Sequence, residues 1–336
     1  MIPDALRVMA AALLLAFANS AVAQSNVTLF GYLDEAVQML TRADGHHASV
    51  SLTNYGQVMS QFGIRGAEDL GNGYQALFLI NPFLLNGGQI AQTFVGISSP
   101  YGTVTLGEQK SILFEQALWF DPLLAGAYSA QSADVVPRYG FLISNSIKYK
   151  SVPWNGLTVN ALLGLGDRPD GFSAGRTVEA AAEYDFRQFG ITLAYQKVNA
   201  DPQQEGPTMA GRTGTKLLGA GRYAFSRVTA YGGLEHSSGD MEPRRTMVWT
   251  GVRVDVTPAL NLQAAVYRAN IADDGGHPTL WVVGTSYSLS RRTSLYATLG
   301  HVVNAANAAQ TVYAFDPEDV CGKTQTGLML GMLHAF

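Results

Sequence analysis

Two kinds of side chain in this 336-residue chain could do chemistry. The first is a handful of reactive groups. His236 is followed by Ser237, Ser238 and Gly239, a base beside hydroxyls. Nucleophilic catalysis would need that base within hydrogen-bond reach of a hydroxyl, and a third group to orient it. His236 instead stands where an alternating segment gives way to a polar connection, a place where polar residues are ordinary. His46 and His47 are neighbours in another connection, and two adjacent imidazoles make no metal site without further ligands. Cys321 is the single cysteine, which excludes an internal disulfide and leaves a surface thiol. The glycine clusters at 71–73 and 219–221 lack the strand–turn–helix setting of a nucleotide loop. Neither a cofactor nor a metal ion is expected, and the chain does not read as an enzyme.

The second kind is a set of charges at even spacing inside alternating segments: Asp34, Arg65, Lys148, Lys150, Glu179, Glu183, Asp185, Arg222, Arg227, Glu235, Arg253 and Asp255. Each falls on the register opposite the large apolar residues. That pattern points to non-covalent chemistry, in which a wet surface orients ions and dipolar solutes. A solvated wall residue without a specific role is the competing reading for any one of them.

The elements that must position these charges are period-two segments of 8–14 residues. In "LWVVGTSYSLS" (280–290), Trp281, Val283, Thr285, Tyr287 and Leu289 share one face, and small or polar residues share the other. "LTVNALLGLG" (157–166) repeats the pattern. Sixteen such segments are expected, the first over 25–41, the second over 57–67 and the last over 323–336. Long connections alternate with tight turns such as "SR" (226–227) and "SRRT" (290–293). Trp154, Tyr184, Phe186, Tyr223, Phe225 and Tyr287 gather near the tight turns, where an interfacial aromatic girdle would lie.

Composition narrows the class further. Hydrophobic residues make up 47% and charged residues 14%, and the net charge of −4 offers no case for nucleic acid. Residues 1–23 read as an export signal: Arg7, an apolar stretch over 8–18, then Ala21 and Ala23 at the cleavage site. Beyond it no apolar run is long enough for a membrane helix. An exported chain without such a helix is either soluble or a membrane barrel, and the alternation favours the barrel. The expected fold is all-β: a 16-stranded antiparallel transmembrane β-barrel over 24–336. Closure would pair the first strand with the last and leave Phe336 at the rim, facing lipid.

Several stretches resemble the Gram-negative general porins, in particular the trimeric 16-stranded outer-membrane porins of β-proteobacterial type. They are "SNVTLFGYLDEAV" (25–37), "SQFGIRGAEDLGNGYQALF" (60–78), "FVGISSPYGTVTLGEQ" (94–109), "NSIKYKS" (145–151), "YSLSRRTSLYATLGH" (287–301) and the terminal "HAF". The resemblance implies an outer-membrane channel for passive diffusion of small hydrophilic solutes and ions, narrowed by loop 3 folded into the lumen. That loop is the longest connection, at about 111–140. It also implies a homotrimer in contact with outer-membrane lipid and lipopolysaccharide. Phe336 would be read by the outer-membrane insertion machinery. Glu115 and Asp121 are the expected loop-3 acids at the constriction, with Asp134 behind them, opposite Arg65 on the wall; Asp34, Lys148 and Lys150 complete the expected lining. Departures from the family are expected to matter. Gln61 stands where a wall arginine is usual, Glu108 where arginine is frequent, and "QIAQTF" (89–94) carries no base. These losses point to weak cation preference. The alternatives are a substrate-selective porin with a binding site at the eyelet, built on Trp119, Phe120, Leu123 and Leu124, or a closed-lumen barrel enzyme or adhesin. Loop 2, "LLNGG" (84–88), is short, so a trimer would lean on the apolar outer wall near the first strands.

Overall fold

A computed structural model describes residues 26–336 apart from 45, 86–87, 130–140, 167–172, 202–205, 242, 274, 306 and 314–319. The expected leader and the last third of loop 3, residues 130–140 with Asp134, lie outside the described residues.

The period-two segments become strands of one antiparallel sheet. They are β1 (Asn26–Leu40), β2 (Ser49–Thr53), β3 (Gln61–Gly71), β4 (Tyr74–Leu85), β5 (Gly88–Ser99), β6 (Gly102–Lys110), β7 (Leu142–Ser151), β8 (Leu157–Gly164) and β9 (Thr177–Phe186). The remainder are β10 (Phe189–Asn199), β11 (Thr213–Phe225), β12 (Val228–Gly239), β13 (Arg245–Asp255), β14 (Leu260–Ile271), β15 (Thr279–Ser288), β16 (Thr293–Val303) and β17 (Thr324–Ala335). One α-helix among the described residues, α1 (Ile112–Trp119), opens loop 3. Sixteen strands, all but β2, close a barrel in which each pairs with its neighbours in the chain. β17 returns to β1 with Tyr32 opposite Ala335 and Leu40 opposite Gly327. Closure gives each of the sixteen barrel strands a partner on both sides, which a sheet in lipid requires.

Turn chemistry keeps one rim tight. Arg187–Gln188 joins β9 to β10 and Ser226–Arg227 joins β11 to β12, with Arg187 and Ser226 at φ 56 and 54. Left-handed first positions match the twist of two-residue hairpins. The girdle aromatics Trp154, Tyr184, Phe186, Tyr223, Phe225 and Tyr287 are all exposed at this rim. Phe336 is there too. Its N–H donates to Gly31 O and its carbonyl accepts from Gly31 N, both at 3.1 Å. The ring lies against Gly31, where a Cβ would stand 2.4 Å from Cζ, so only glycine admits it.

Alternation sorts the wall as expected, and three charged residues do not reach its inner face. Arg227 belongs to a turn and to no strand face. Glu35 points outward between exposed Leu33 and Val37, opposite Met332. Glu108 lies opposite Thr93, whose neighbours Gln92 and Phe94 face inward, so Glu108 also points outward.

The largest departure concerns the second barrel strand. It was expected over 57–67 but begins at Gln61, and residues 54–60 leave the wall. β1 pairs with β2 over Ala36–Leu40 and with β3 over Asn26–Tyr32, which leaves a gap between them. Ser60 fills it: its hydroxyl accepts from Asp34 N at 2.8 Å and donates to Asp34 O at 3.0 Å. A side chain thus satisfies backbone groups that the ladder abandons.

Candidate functional site

Loop 3 begins at Ser111, the N-cap of α1, whose hydroxyl accepts from Phe114 N. Behind it Glu179 of β9 caps the helix as well, accepting from Ser111 Oγ at 2.7 Å and from Ile112 N. A carboxylate at a helix N-terminus satisfies free N–H groups and the positive end of the dipole. Gln196 of β10 donates to the same carboxylate at 2.6 Å. The helix buries Ile112, Leu113 and Phe114, and Phe114 meets Phe141, which packs edge-on against Phe83.

Past the helix the loop crosses to the far wall. Trp249 of β13 donates from Nε1 to Phe120 O at 3.1 Å. Asp121 is fully buried; its oxygens accept from Tyr267 of β14 at 2.9 Å, Ser129 at 2.8 Å and Leu123 N at 2.6 Å. The loop then meets the 54–60 segment: Tyr55 donates its hydroxyl to Ala125 O, and Ala127 N donates to Gly56 O. That segment is itself held by Asp34, whose carboxylate accepts from Gln57 N and Val58 N at 2.8 Å and from the Tyr296 hydroxyl. All these wall residues lie on the inner face, so the described part of loop 3 lies inside the barrel.

The expected site residues divide accordingly. Asp34 and Asp121 are corrections: both are fully buried, with their oxygens spent on loop and wall donors, so neither faces a solute. Leaving such carboxylates unpaired would be costly, which is why they serve as anchors. Glu115 and Lys148 come together at 2.6 Å, and Lys148 Nζ also donates to Lys110 O at 3.1 Å. Lys150 is exposed beside them, Gln61 is nearly buried and borders the passage, and Arg65 lies over the Phe30 ring at 5.3 Å.

Reading charges from alternation missed Lys110 and Lys216. Lys110 ends β6 just where the chain turns into loop 3. Lys216 is buried 3.4 Å from Glu235. The anchoring of 54–60 left no signal in the sequence, because the donors to Asp34 are backbone N–H groups of Gln57 and Val58 and so carry no residue type. Glu108 could have been placed outside, because it shares parity with Val104 and Leu106.

Two cavities flank Trp119. One of about 480 Å³ lies between loop 3 and the inner face of β14–β17; the other, about 400 Å³, lies between α1 and β5–β9. Lys110, Lys148, Lys150, Glu115 and Glu183 line the second, and Lys110 and Arg253 border the first.

The reactive candidates separate. His236 Nδ1 meets Thr246 Oγ1 at 2.8 Å and points outward, while Ser237 is buried on the inner face. His47 Nδ1 meets Asp44 at 2.7 Å on an exposed turn. The His47 N–H bond holds Asp44 well below the usual carboxylate range, and Asp44 in turn raises the imidazole. Among the described residues no three metal-ligating side chains converge.

Burial pushes the Asp121 carboxyl up from 3.8 to about 6, against the hydrogen bonds from Leu123, Ser129 and Tyr267 that pull it down. A carboxyl raised in the packed state favours that state when protonated. Its contribution is full below pH 3.8 and is lost as pH rises through about 6. Amide exchange in loop 3, corrected for intrinsic rates, is therefore expected to be slower at pH 5 than at pH 7. In Asp121→Asn the difference should vanish; an unchanged difference would locate the titration elsewhere.

A closed barrel with an apolar outside, a charged wet inside and a loop bolted within defines a membrane-spanning channel. The family model described as Gram-negative porin matches residues 10–307, and the chain belongs to that family. It is 26% identical to outer membrane porin protein 32 of Delftia acidovorans, over 96% of this chain and 97% of that one. Its fold is similar to that of an anion-selective porin from Comamonas acidovorans, with a TM-score of 0.81 at 21% identity, over 93% of this chain and all of that one. OmpT of Vibrio cholerae, solved in a trimer form, matches with a TM-score of 0.71 at 11% identity, over 93% and 99% of the two chains. The protein is an outer-membrane channel for passive diffusion in a Gram-negative bacterium, and its relatives are channel proteins.

Proposed function

We propose that loop 3 sets the aperture of this channel and that Lys110, Lys148, Lys150 and Arg253 bias it weakly toward anions. The observation that carries the reading is the attachment of loop 3 to the inner wall through Glu179, Trp249 and Tyr267. Such a loop obstructs the lumen at fixed depth and passes solutes by size. The direction of the charge bias reverses the cation preference expected from sequence. Asp34 and Asp121 are buried and Glu108 points outward, so three acids drop out of the passage. Among the described residues bases then outnumber acids along the two cavities. The anion-selective relative is consistent with this direction.

The test is the reversal potential of the purified protein in a planar bilayer under a KCl gradient. Chloride preference is expected in the native channel. Lys148→Glu changes the wall by two charges. At about 5 Å in screened water that is worth roughly 1 kcal/mol for each ion sign, so the permeability ratio should shift about tenfold or more toward potassium. A native channel that prefers potassium overturns the bias and leaves the aperture reading standing.

The working unit is a homotrimer. Glu35 supports this, because a carboxylate in the lipid band is costly unless a protein neighbour covers it. An outer groove lined by Val27, Gly66, Phe78, Val95, Val104 and Leu106 lies on the same side of the barrel. On the opposite wall Lys197 and Arg268 point outward near the long-loop rim, suited to lipopolysaccharide phosphates. Phe336 is the feature the insertion machinery reads.

A further inference from the structure

We propose that the cavity beneath loop 3 is a binding site for an uncharged hydroxylated ring, a pyranose sugar, with Trp119 as its stacking platform. The inference rests on the loop-3 aperture reading and names the solute class of the same passage. Three observations meet there. Trp119 ends α1 with 52% of its surface exposed, an indole left open beside the buried Phe114, Ala117 and Phe120. Leu118, Leu123 and Leu124 extend that apolar surface.

The facing wall is uncharged and rich in donors and acceptors. In register across β14, β15 and β16, Asn261 stands opposite Ser286, and Ser286 opposite Tyr296. One row on, Gln263 and Thr298 flank Gly284, and Ser288 faces Ser294. Gln57, on the clamped 54–60 segment, donates to Ser286 at 2.5 Å and so fixes the edge of this patch. A Cβ on Gly284 would lie 3.6 Å from Leu123, so the loop rests on the wall just beside the patch.

The charges sit at the margins and are occupied. Arg253 Nε lies 3.5 Å from Asp255, and Lys110 Nζ lies over the Phe83 ring at 5.5 Å. Among the described residues no carboxylate lines the cavity. A volume of about 480 Å³ is within the range of small-molecule sites. An apolar aromatic face opposite a row of hydroxyls and amides matches a sugar ring, which has apolar C–H faces and a polar rim. Among the described residues a cation finds no carboxylate there, and a purely apolar solute would strand the polar row.

The experiment measures ion current through the full-length channel in a planar bilayer, with methyl β-D-glucopyranoside added on the short-turn side. Saturable block is expected, at a concentration about tenfold below that of a polyethylene glycol of similar mass. Trp119→Ala should abolish the saturation while leaving an open channel, and Trp119→Phe should retain part of it. Gln263→Leu should raise the half-blocking concentration severalfold. Block by the glucoside that rises linearly like that of the polymer, or saturation unchanged in Trp119→Ala, overturns the proposal. Benzoate blocking better than the glucoside also overturns it, because Lys110 and Arg253 would then govern the cavity. Calorimetric binding of the same glucoside to the detergent-solubilised trimer reads the site without current. Binding without current sinks the aperture reading and upholds the site, while current without binding does the reverse.

Discussion

Asp121→Ala is expected to release loop 3 and raise the single-channel conductance while the barrel stays folded. The carboxylate joins three groups across 146 positions of chain: the Tyr267 and Ser129 hydroxyls and the Leu123 amide. Removing it strands the two hydroxyls and the amide in a buried site, at about 1–3 kcal/mol each. The loss falls on the loop, because no ladder hydrogen bond of β13, β14 or β15 involves Asp121. Global unfolding should therefore stay near the native temperature, read by the heat-modified mobility of the barrel. Protease should now cut within loop 3, and the conductance step should grow. Asp121→Asn keeps an acceptor for Tyr267 and Leu123 and should be milder. A conductance step unchanged in Asp121→Ala, with the loop still protected, would mean that the apolar helix alone holds the loop.

Deleting Phe336 should have the largest effect in the cell and a small one on the finished barrel. The residue contributes two backbone hydrogen bonds to Gly31 and a ring against that glycine, all at the water-accessible rim. Exposed hydrogen bonds of this kind contribute about 1 kcal/mol each, so a refolded barrel should melt almost normally. The closing register from Tyr32 to Leu40 is intact without it. Assembly is another matter, since an unclosed β1–β17 seam exposes two strand edges to the membrane. Most of the variant should be missing from the outer membrane although the purified chain refolds in detergent. Normal outer-membrane levels would remove Phe336 from the assembly step. A refolded barrel that melts far below the native one would make it a structural closure instead.

The channel wall was legible in the sequence because its information is local. Alternation every second residue tells each side chain whether it faces lipid or water, and two-residue turns set the hairpins. The sixteen barrel strands, the tight rim and the inner placement of Lys148, Lys150 and Glu183 follow from that rule alone. Glu108, on the parity of Val104 and Leu106, follows the same rule to the outer face.

The passage was not legible in the same way. Asp34, Asp121 and Glu115 are alike to a reading of sequence, yet two are buried anchors and one meets Lys148 in the lumen. Which is which depends on residues 54–60 leaving the wall and on loop 3 reaching β13 and β14, contacts far apart in the chain and without any period. Desolvation then decides: a carboxylate covered by its own donors is removed from the solute's path, while Glu115 and Glu183 stay beside Lys148 and Lys150 along the cavity. Alternation by itself determined a barrel and its two faces, whereas only the tertiary structure determined which inner groups water and solutes can touch.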